Sequence, residues 1–319
     1  MTGRHSAFFL NGGAGRIICS IPALEKYAEE NPGDDFIVVC EGGFEFFKGH
    51  PLLHSKSYDS FHKNLFVDKI KDRNCFSPEP YRIWEYYNQK VSIAQAFDIA
   101  INNKGIRALN SPKINLGSEE FYTGISVVKE VKEKTKKNKV IVFQPFGRGL
   151  TEFNNILVDK SGRSFTLDDA IEIIRRLQKD YGIILMSEYK IEAERAKLDP
   201  FAIPTNIGLR HWAGIISEAD YFVGIDSVGQ HLAHSFNKRS SVIISSTYPI
   251  NTSYPADTNF NILDVGETRR TYDPIRITFD EVSGYNNESL MQLNQQALDY
   301  IVNSIKSHIE NKKISGDKK

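Results

Sequence analysis

One run of residues combines the types that bind a phosphate group: Asp226-Ser227-Val228-Gly229-Gln230-His231, between an apolar stretch and a helical pattern. An Asp or Ser at such a place caps a helix, and the first N–H groups of the helix then point outward at the positive end of its dipole. We therefore expect the N–H groups from Val228 to Gln230 to face an anion, with His231 as a further donor. The run predicts a phosphate-binding turn.

A second turn of this kind is Asn11-Gly12-Gly13-Ala14-Gly15-Arg16, again between an apolar stretch and a helical pattern. Gly13 and Gly15 would let the backbone approach a ligand closely. The spacing is not that of a dinucleotide-binding GxGxxG turn, and no acidic residue ends the next strand. The alternative is a tight turn with no ligand.

Two further groups follow predicted strands of the second half. Arg148 follows the strand Val140–Gln144, and its guanidinium is suited to a bidentate contact with a diphosphate. Glu188 follows the strand 183–186, and its carboxylate can accept hydrogen bonds from ribose hydroxyls. Ligands of open α/β sheets bind at the carboxyl ends of the strands, so these groups and the 226–231 turn predict one site.

The elements that position these groups alternate between short apolar runs and amphipathic stretches, which is typical of βαβ units. The order strand, glycine turn, helix opens each half of the chain. The predicted strands are 7–10, 36–40, 140–144, 183–186, 221–225 and 241–244, whereas residues 41–90 have no regular pattern.

The charged run 129–139 marks a boundary, as an exposed linker or a frayed helix end. We predict an N-terminal domain over 1–137, a C-terminal domain over 138–284, and a last segment, 285–319. That last segment has one apolar stripe over 288–310, which predicts a long helix, and then a polar tail.

The composition is that of a globular protein: 319 residues, 40 Lys and Arg against 40 Asp and Glu, and 40% hydrophobic residues. This excludes wholesale disorder and favours two domains. Cys19, Cys40 and Cys75 have neither disulfide nor metal-ligand spacing, so we expect reduced thiols and no metal site. With no secretory signal and no apolar run of membrane-spanning length, the sequence predicts a cytoplasmic protein.

Zero net charge argues against a dedicated nucleic-acid binder but leaves room for a local basic surface. Residues 46–73 contain such a basic stretch: Lys48, Lys56, Lys63, Lys69, Lys71 and Arg73, together with three histidines.

The stretch 211–249 resembles the donor-site region of the lipopolysaccharide heptosyltransferases, glycosyltransferase family 9. The likeness lies in Ile216-Ser217-Glu218-Ala219-Asp220, Asp226-Ser227 and His231-Leu232-Ala233. Residues 12–24, GGAGRIICSIPAL, resemble the start of that family's first helix.

This resemblance implies a GT-B fold: two Rossmann-like βαβ domains facing each other across a cleft, with the last helix packing back toward the N-terminal domain. It implies an inverting, metal-independent glycosyltransferase whose co-substrate is a nucleotide-diphosphate sugar and whose acceptor is a glycan or another hydroxyl compound. Matched by position, the donor diphosphate and sugar would contact Asp226, Ser227, Gly229, Gln230 and His231. Glu188 or Glu192 would bind the ribose of the nucleoside, and Arg148 or Arg163 would bind the phosphates.

One departure from the family pattern concerns the general base. The family has an Asp directly after the first glycine turn, whereas this chain has Arg16, which cannot accept a proton near neutral pH. Glu41, after the second predicted strand, is the remaining candidate base, and Arg16 would bind an acidic acceptor or the donor phosphates.

Two other functions remain open on the same fold. One is a nucleotide-sugar epimerase, and the other is an inactive module that binds a sugar nucleotide or a glycan. Modified DNA is an alternative acceptor, for which the basic stretch would track phosphates.

Overall fold

The computed structural model describes residues 5–153, 156–159, 161–189, 191, 198, 202–204, 207–270 and 291–311. The chain divides into two compact units, with the main dividing point between Gly117 and Ser118. Both are α/β units built on a parallel sheet.

The first unit has a four-stranded parallel sheet in the order β3-β2-β1-β4. Its strands are β1 (Ser6–Leu10), β2 (Ile37–Cys40), β3 (Ser57–Asp59) and β4 (Asn74–Phe76). The central strands β1 and β2 are apolar and buried, as expected of a parallel sheet covered on both faces. Residues 41–90, which have no regular sequence pattern, contain both edge strands of this sheet. Each edge strand has three residues, and β4 is exposed throughout, so neither carries an apolar run.

The first unit also contains the α-helices α1 (Ala14–Glu30), α2 (Trp84–Tyr87) and α3 (Ile93–Asn102). The apolar sides of α1 and α3 pack with one face of the sheet in a common core. Ser92 fixes the start of α3 in a capping box with Gln95, which satisfies two N–H groups of the first turn.

The second unit has a five-stranded parallel sheet in the order β11-β10-β9-β5-β8. Its strands are β5 (Val140–Gln144), β8 (Gly182–Leu185), β9 (Tyr221–Ile225), β10 (Ser240–Ile244) and β11 (Phe260–Asp264). An antiparallel ribbon of β6 (Leu150–Phe153) and β7 (Ile156–Asp159) lies between β5 and β8 in the chain. The strands expected between residues 140 and 244 are confirmed.

In the described part of the second unit, the helices are α4 (Ser118–Thr135), α5 (Leu167–Leu177), α6 (Leu209–Glu218), α7 (Val228–Ser235), α8 (Pro249–Thr252) and α9 (Gln295–Ile309). None of the helices in the described ranges combines the length and the apolar composition that a membrane crossing requires.

Helices α4 and α6 pack at a glycine seam. A Cβ on Gly214 would lie 2.0 Å from the carbonyl oxygen of Glu120, and one on Gly124 would lie 2.2 Å from the carbonyl oxygen of Gly214. Beside the seam, the buried Arg210 donates to the buried Glu120. This packing joins α4 to the second unit, so the units divide about 20 residues before the 137/138 boundary that the sequence suggests. Since α4 extends to Thr135, the first part of the charged run 129–139 is a helix end.

The C-terminal helix predicted over 288–310 is described from Gln295 as α9, and residues 312–319 of the expected polar tail lie outside the described residues. Leu298, Ile301 and Ile305 of α9 pack in the core of the second unit. The described part of this helix therefore packs on the second unit, whereas the family resemblance implies packing toward the first.

Candidate functional site

The carboxyl ends of β5 and β9 mark the topological switch point of the second sheet. The chain leaves β5 toward β8 on one side and returns to β9 on the other. Gln144 at the end of β5 lies opposite Gly224 of β9, two residues before Asp226. Connections that leave adjacent strands in opposite directions open a crevice between them, which is where ligands of such sheets bind.

Gln144 ties the two strand ends together. Its Oε1 accepts a hydrogen bond of 3.0 Å from the Gly229 N–H, and its Nε2 donates to the Ser227 Oγ at 3.1 Å. Gln144 was not predicted as a site residue. The only sequence signal for it is a polar residue at the end of the apolar strand VIVFQ.

The buried carboxylate of Asp226 fastens the loops around the crevice. It accepts hydrogen bonds from Gln230 Nε2 at 2.9 Å and from Thr247 Oγ1 at 3.0 Å. The Arg163 guanidinium lies 3.7 Å from it. Burial raises the pKa of Asp226, while Arg163, Thr247 and Gln230 act against that rise by stabilising the charged form. Asp226 thus joins three segments at the carboxyl edge of the sheet.

The N-terminus of α7 sits at the switch point, but its N–H groups are partly used. The Gly229 N–H donates to Gln144, and the Gln230 N–H donates to the Ser227 carbonyl at 3.3 Å. This corrects the expectation that all N–H groups from Val228 to Gln230 face an anion: those of Gly229 and Gln230 are engaged within the protein.

Gly229 is required by the packing of α7 on the sheet. A Cβ there would lie 2.4 Å from Gln144 Oε1 and 2.6 Å from Phe222 Cζ, closer than real Cβ atoms approach. A glycine at this position therefore lets the helix reach the strand ends that hold the turn.

His231, in the first turns of α7, is buried and has its ring fixed. Its Nδ1 lies 2.7 Å from the Tyr254 hydroxyl, and the two rings meet edge to face. Tyr254 thus orients the imidazole, as a second hydrogen-bonding group commonly does for a functional histidine.

Arg163 lies beside this turn and is one-third exposed. Its Nε donates to Ser161 Oγ at 3.0 Å, and an Nη atom donates to the Asp226 carbonyl oxygen at 3.3 Å. Arg163 is therefore held in place beside the turn.

Asp159, which was not predicted, organises the loop that carries Arg163. It accepts hydrogen bonds from both the backbone N–H and the side chain of Ser161 and of Ser164. Burial alone would raise its pKa, but these bonds and the nearby Arg163 outweigh it, and the pKa of Asp159 is lowered. Because the Asp159 carboxylate stays charged, its hydrogen bonds to Ser161 and Ser164 stabilise the conformation of this loop.

Arg148 and Glu188, two further predicted donor residues, lie at the same edge of the sheet. Arg148 is exposed in the turn after β5. The Gly147 N–H of this turn donates a hydrogen bond of 2.9 Å to the Ser164 Oγ. Glu188 is exposed after β8, the neighbour of β5 in the sheet. Glu192 lies outside the described residues.

The first unit places its candidates around the turn between β1 and α1. Arg16 lies within the first helical turn, and its guanidinium is 3.3 Å from both carboxylate oxygens of Glu79 and above the ring of Tyr81. Gly13 is the residue before α1, and Gly15 lies within the helix. The Arg16 side chain is thus mostly enclosed by the protein rather than directed at a ligand.

Glu41, the candidate base, is exposed at the end of β2. Its Oε2 lies 3.4 Å from the Gly12 N–H. The carboxylate therefore lies beside the glycine turn, where it can reach solvent. Among the described residues, no cluster of three or more His, Cys, Asp or Glu side chains could hold a metal ion.

No model of a known protein family matches the chain, and no curated protein matches it by sequence. Solved structures do match. A glycosyl transferase family 9 protein from Veillonella parvula has a TM-score of 0.67 at 10% identity, over 98% of this chain and 99% of that one. The ADP-heptose lipopolysaccharide heptosyltransferase II of E. coli has a TM-score of 0.60 at 10% identity, over 96% and 99%.

A third match is TibC, described as an iron-containing dodecameric heptosyltransferase and solved with ADP-D-β-D-heptose. It has a TM-score of 0.57 at 10% identity, over 98% of this chain and 79% of that one. At these identities the likeness is one of fold. It confirms the predicted fold class, an α/β chain of GT-B type with two Rossmann-like units and a C-terminal helix.

Proposed function

We propose that this chain, which shares the fold of family 9 glycosyltransferases, is itself a glycosyltransferase that uses a nucleotide-diphosphate sugar. The observation that carries the proposal is the assembly of Gln144, Asp226 and Arg163 at the switch point of the second sheet. The solved heptosyltransferases of the same fold, one of them bound to ADP-heptose, support the same assignment.

In this proposal the diphosphate binds beside the start of α7. Arg163 and the exposed Arg148 neutralise its charge, and the Ser227 hydroxyl and His231 donate to its oxygens. Glu188 accepts hydrogen bonds from the ribose hydroxyls. Asp226 stabilises the turn that contains Ser227 and His231. Its carboxylate accepts hydrogen bonds from Gln230 and Thr247, so we do not assign it the role of general base.

The proposed reaction is an inverting transfer that needs no metal. Glu41 takes the proton of the acceptor hydroxyl, the oxygen attacks the anomeric carbon, and the bond from that carbon to the diphosphate oxygen breaks. The nucleoside diphosphate leaves with the electron pair, stabilised by the arginines. A glycan acceptor and a cytoplasmic location complete the proposal.

The donor site is tested by thermal unfolding of the full chain with UDP, ADP, GDP and CMP and their sugar conjugates, with and without EDTA. One nucleotide series should raise the melting temperature, since a ligand at about 100 times its Kd adds about 2.7 kcal/mol to the stability of the folded form. EDTA should not change that rise.

Arg163→Met should abolish the rise, because it removes the cation beside the turn. The matched control is Arg175→Met, which removes an exposed arginine of α5 whose described ion pair is on the helix surface. If no nucleotide shifts the melting temperature of the wild-type chain, the donor-site proposal fails.

One alternative is a binding module without catalysis. It is favoured by Arg16, which stands where the resembling family has its Asp, cannot accept a proton, and is engaged with Glu79. That alternative predicts nucleotide-sugar binding with no release of nucleoside diphosphate. An epimerase would instead return a free, altered nucleotide-sugar, so chromatography of the products distinguishes the three functions.

A further inference from the structure

Gln144 determines the direction of the proton on the Ser227 hydroxyl. Its Oε1 accepts the hydrogen bond of the Gly229 N–H, and a backbone N–H can only donate. The orientation of the amide is therefore fixed, and its Nε2 is the donor to the Ser227 Oγ, 3.1 Å away. Because Ser227 accepts from Gln144, its own proton points away from Gln144. The partly exposed Ser227 can donate that proton to a ligand.

Tyr254 acts on His231 in a similar way. The Tyr254 hydroxyl lies 2.7 Å from Nδ1 of the buried His231 ring. A phenol donates more strongly than it accepts, because an oxygen lone pair is delocalised into its ring, and a neutral imidazole has one nitrogen that only accepts. We therefore assign the hydroxyl as the donor to Nδ1, which puts the imidazole proton on Nε2. Tyr254 is itself held by an edge-to-face contact with Phe260, with ring centres 5.1 Å apart.

Ser227 and His231 lie on the same side of the turn that opens α7, because residues four apart are neighbours on a helix surface. Arg163, beside this turn, is a cation with donors only. The three side chains thus offer protons to a ligand. An anion whose oxygens carry no proton matches this set, whereas a hydroxyl or a protonated acid would direct its own proton against it.

We infer that Gln144 and Tyr254 are positioning residues that make Ser227 and His231 hydrogen-bond donors to a fully ionised diphosphate. They act through the protons of these two side chains, without touching the ligand themselves. The inference rests on the proposed donor site, but the proton positions are a property of the ligand-free chain and are tested there.

The first test is long-range 1H–15N NMR of the histidine rings in the ligand-free full chain at about pH 7.5, where an ordinary imidazole is neutral. His231→Asn assigns the ring signals of His231, whose protonated nitrogen should be Nε2. In Tyr254→Phe the His231 Nδ1 resonance should move downfield, because that nitrogen loses a hydrogen bond.

The matched control is Tyr221→Phe, which removes a hydroxyl from the Nδ1 of His308 at the first residue of β9. It should move the His308 resonance and leave that of His231 unchanged. A proton on Nδ1 of His231, or an unchanged Nδ1 resonance in Tyr254→Phe, would overturn the role of Tyr254.

The second test is calorimetric titration with UDP, ADP and GDP. Tyr254→Phe should weaken the binding of the preferred nucleotide roughly two- to ten-fold, the contribution of one hydrogen bond. Tyr221→Phe should bind like the wild type, although it too loses a hydrogen-bonded hydroxyl. Equal affinities of these two variants would contradict the inference. Lack of binding by the wild type would overturn the proposed function instead, since the ring spectra do not depend on a ligand.

Gln144→Glu tests the other positioning residue. A carboxylate accepts from both the Gly229 N–H and the Ser227 hydroxyl, which turns the Ser227 proton away from the ligand. The substitution also adds a negative charge, so its effect is measured in the wild type and in Ser227→Ala. The loss of nucleotide affinity should be several-fold larger in the wild type, where there is a hydroxyl to reverse. Equal losses in the two backgrounds would mean that only the charge acts, and the role of Gln144 would be refuted.

Discussion

Replacement of Gln144 by leucine tests whether one side chain holds the two strand ends at the switch point. Gln144→Leu removes the acceptor of the buried Gly229 N–H and the donor to Ser227 Oγ. An unsatisfied buried N–H costs about 1–3 kcal/mol, whereas the partly exposed Ser227 hydroxyl can bond to water instead. We therefore expect the free energy of unfolding to fall by about 1–3 kcal/mol. At 2 kcal/mol the melting temperature would fall by about 4–8 °C.

The free energy is measured by urea unfolding, followed by far-ultraviolet circular dichroism and extrapolated to zero urea. The control is Gln296→Leu, the same substitution at an exposed position of α9, which should change stability by less than about 0.5 kcal/mol. If Gln144→Leu were as stable as this control, the hydrogen bonds of Gln144 would not hold the turn, and our account of the site's rigidity would be wrong.

Two further predictions concern stability. Gly214→Ala should lower the free energy of unfolding by about 1–3 kcal/mol, because the new Cβ would lie 2.0 Å from the Glu120 carbonyl oxygen. The control is Gly105→Ala, where the Cβ would meet no atom within 4 Å, and it should change the free energy by less than about 1 kcal/mol. Both free energies are measured by urea unfolding. Burial and the nearby Arg239 lower the pKa of His308 in the folded chain. As the pH falls below about 6.5, His308 is therefore protonated in the unfolded chain before it is protonated in the folded one, and the free energy of unfolding should decrease. In His308→Gln this decrease should be smaller when the urea midpoints at about pH 7.5 and about pH 5.5 are compared.

The central strands could be predicted from the sequence because a parallel strand buried on both faces leaves an uninterrupted apolar run. The strand Tyr221–Ile225 is such a case. Strands β3 and β4 could not be predicted, since three residues at a sheet edge need no apolar pattern. Helix α4 was missed because its charged C-terminal half conceals the few residues that it buries, Val128 and Val131 among them.

The sequence predicted candidate site residues within separate stretches of chain, without the contacts between those stretches. Asp226 and His231 follow a strand and open a helix, so their place was visible in the sequence. Their partners Gln144, Thr247 and Tyr254 come from other strand ends and loops. Those pairings depend on the order and register of the strands, and the spacing of residues within one segment does not predict either.

The glycine seam between α4 and α6 determines where the chain can be cut. A fragment that began at residue 138 would lose α4, and with it the carboxylate that neutralises the buried Arg210. A buried guanidinium stripped of its partner is among the most destabilising changes a protein undergoes. A fragment that began at Ser118 would keep both the seam and the ion pair. An isolated second unit, made for crystallisation or for nucleotide titration, should therefore start no later than Ser118.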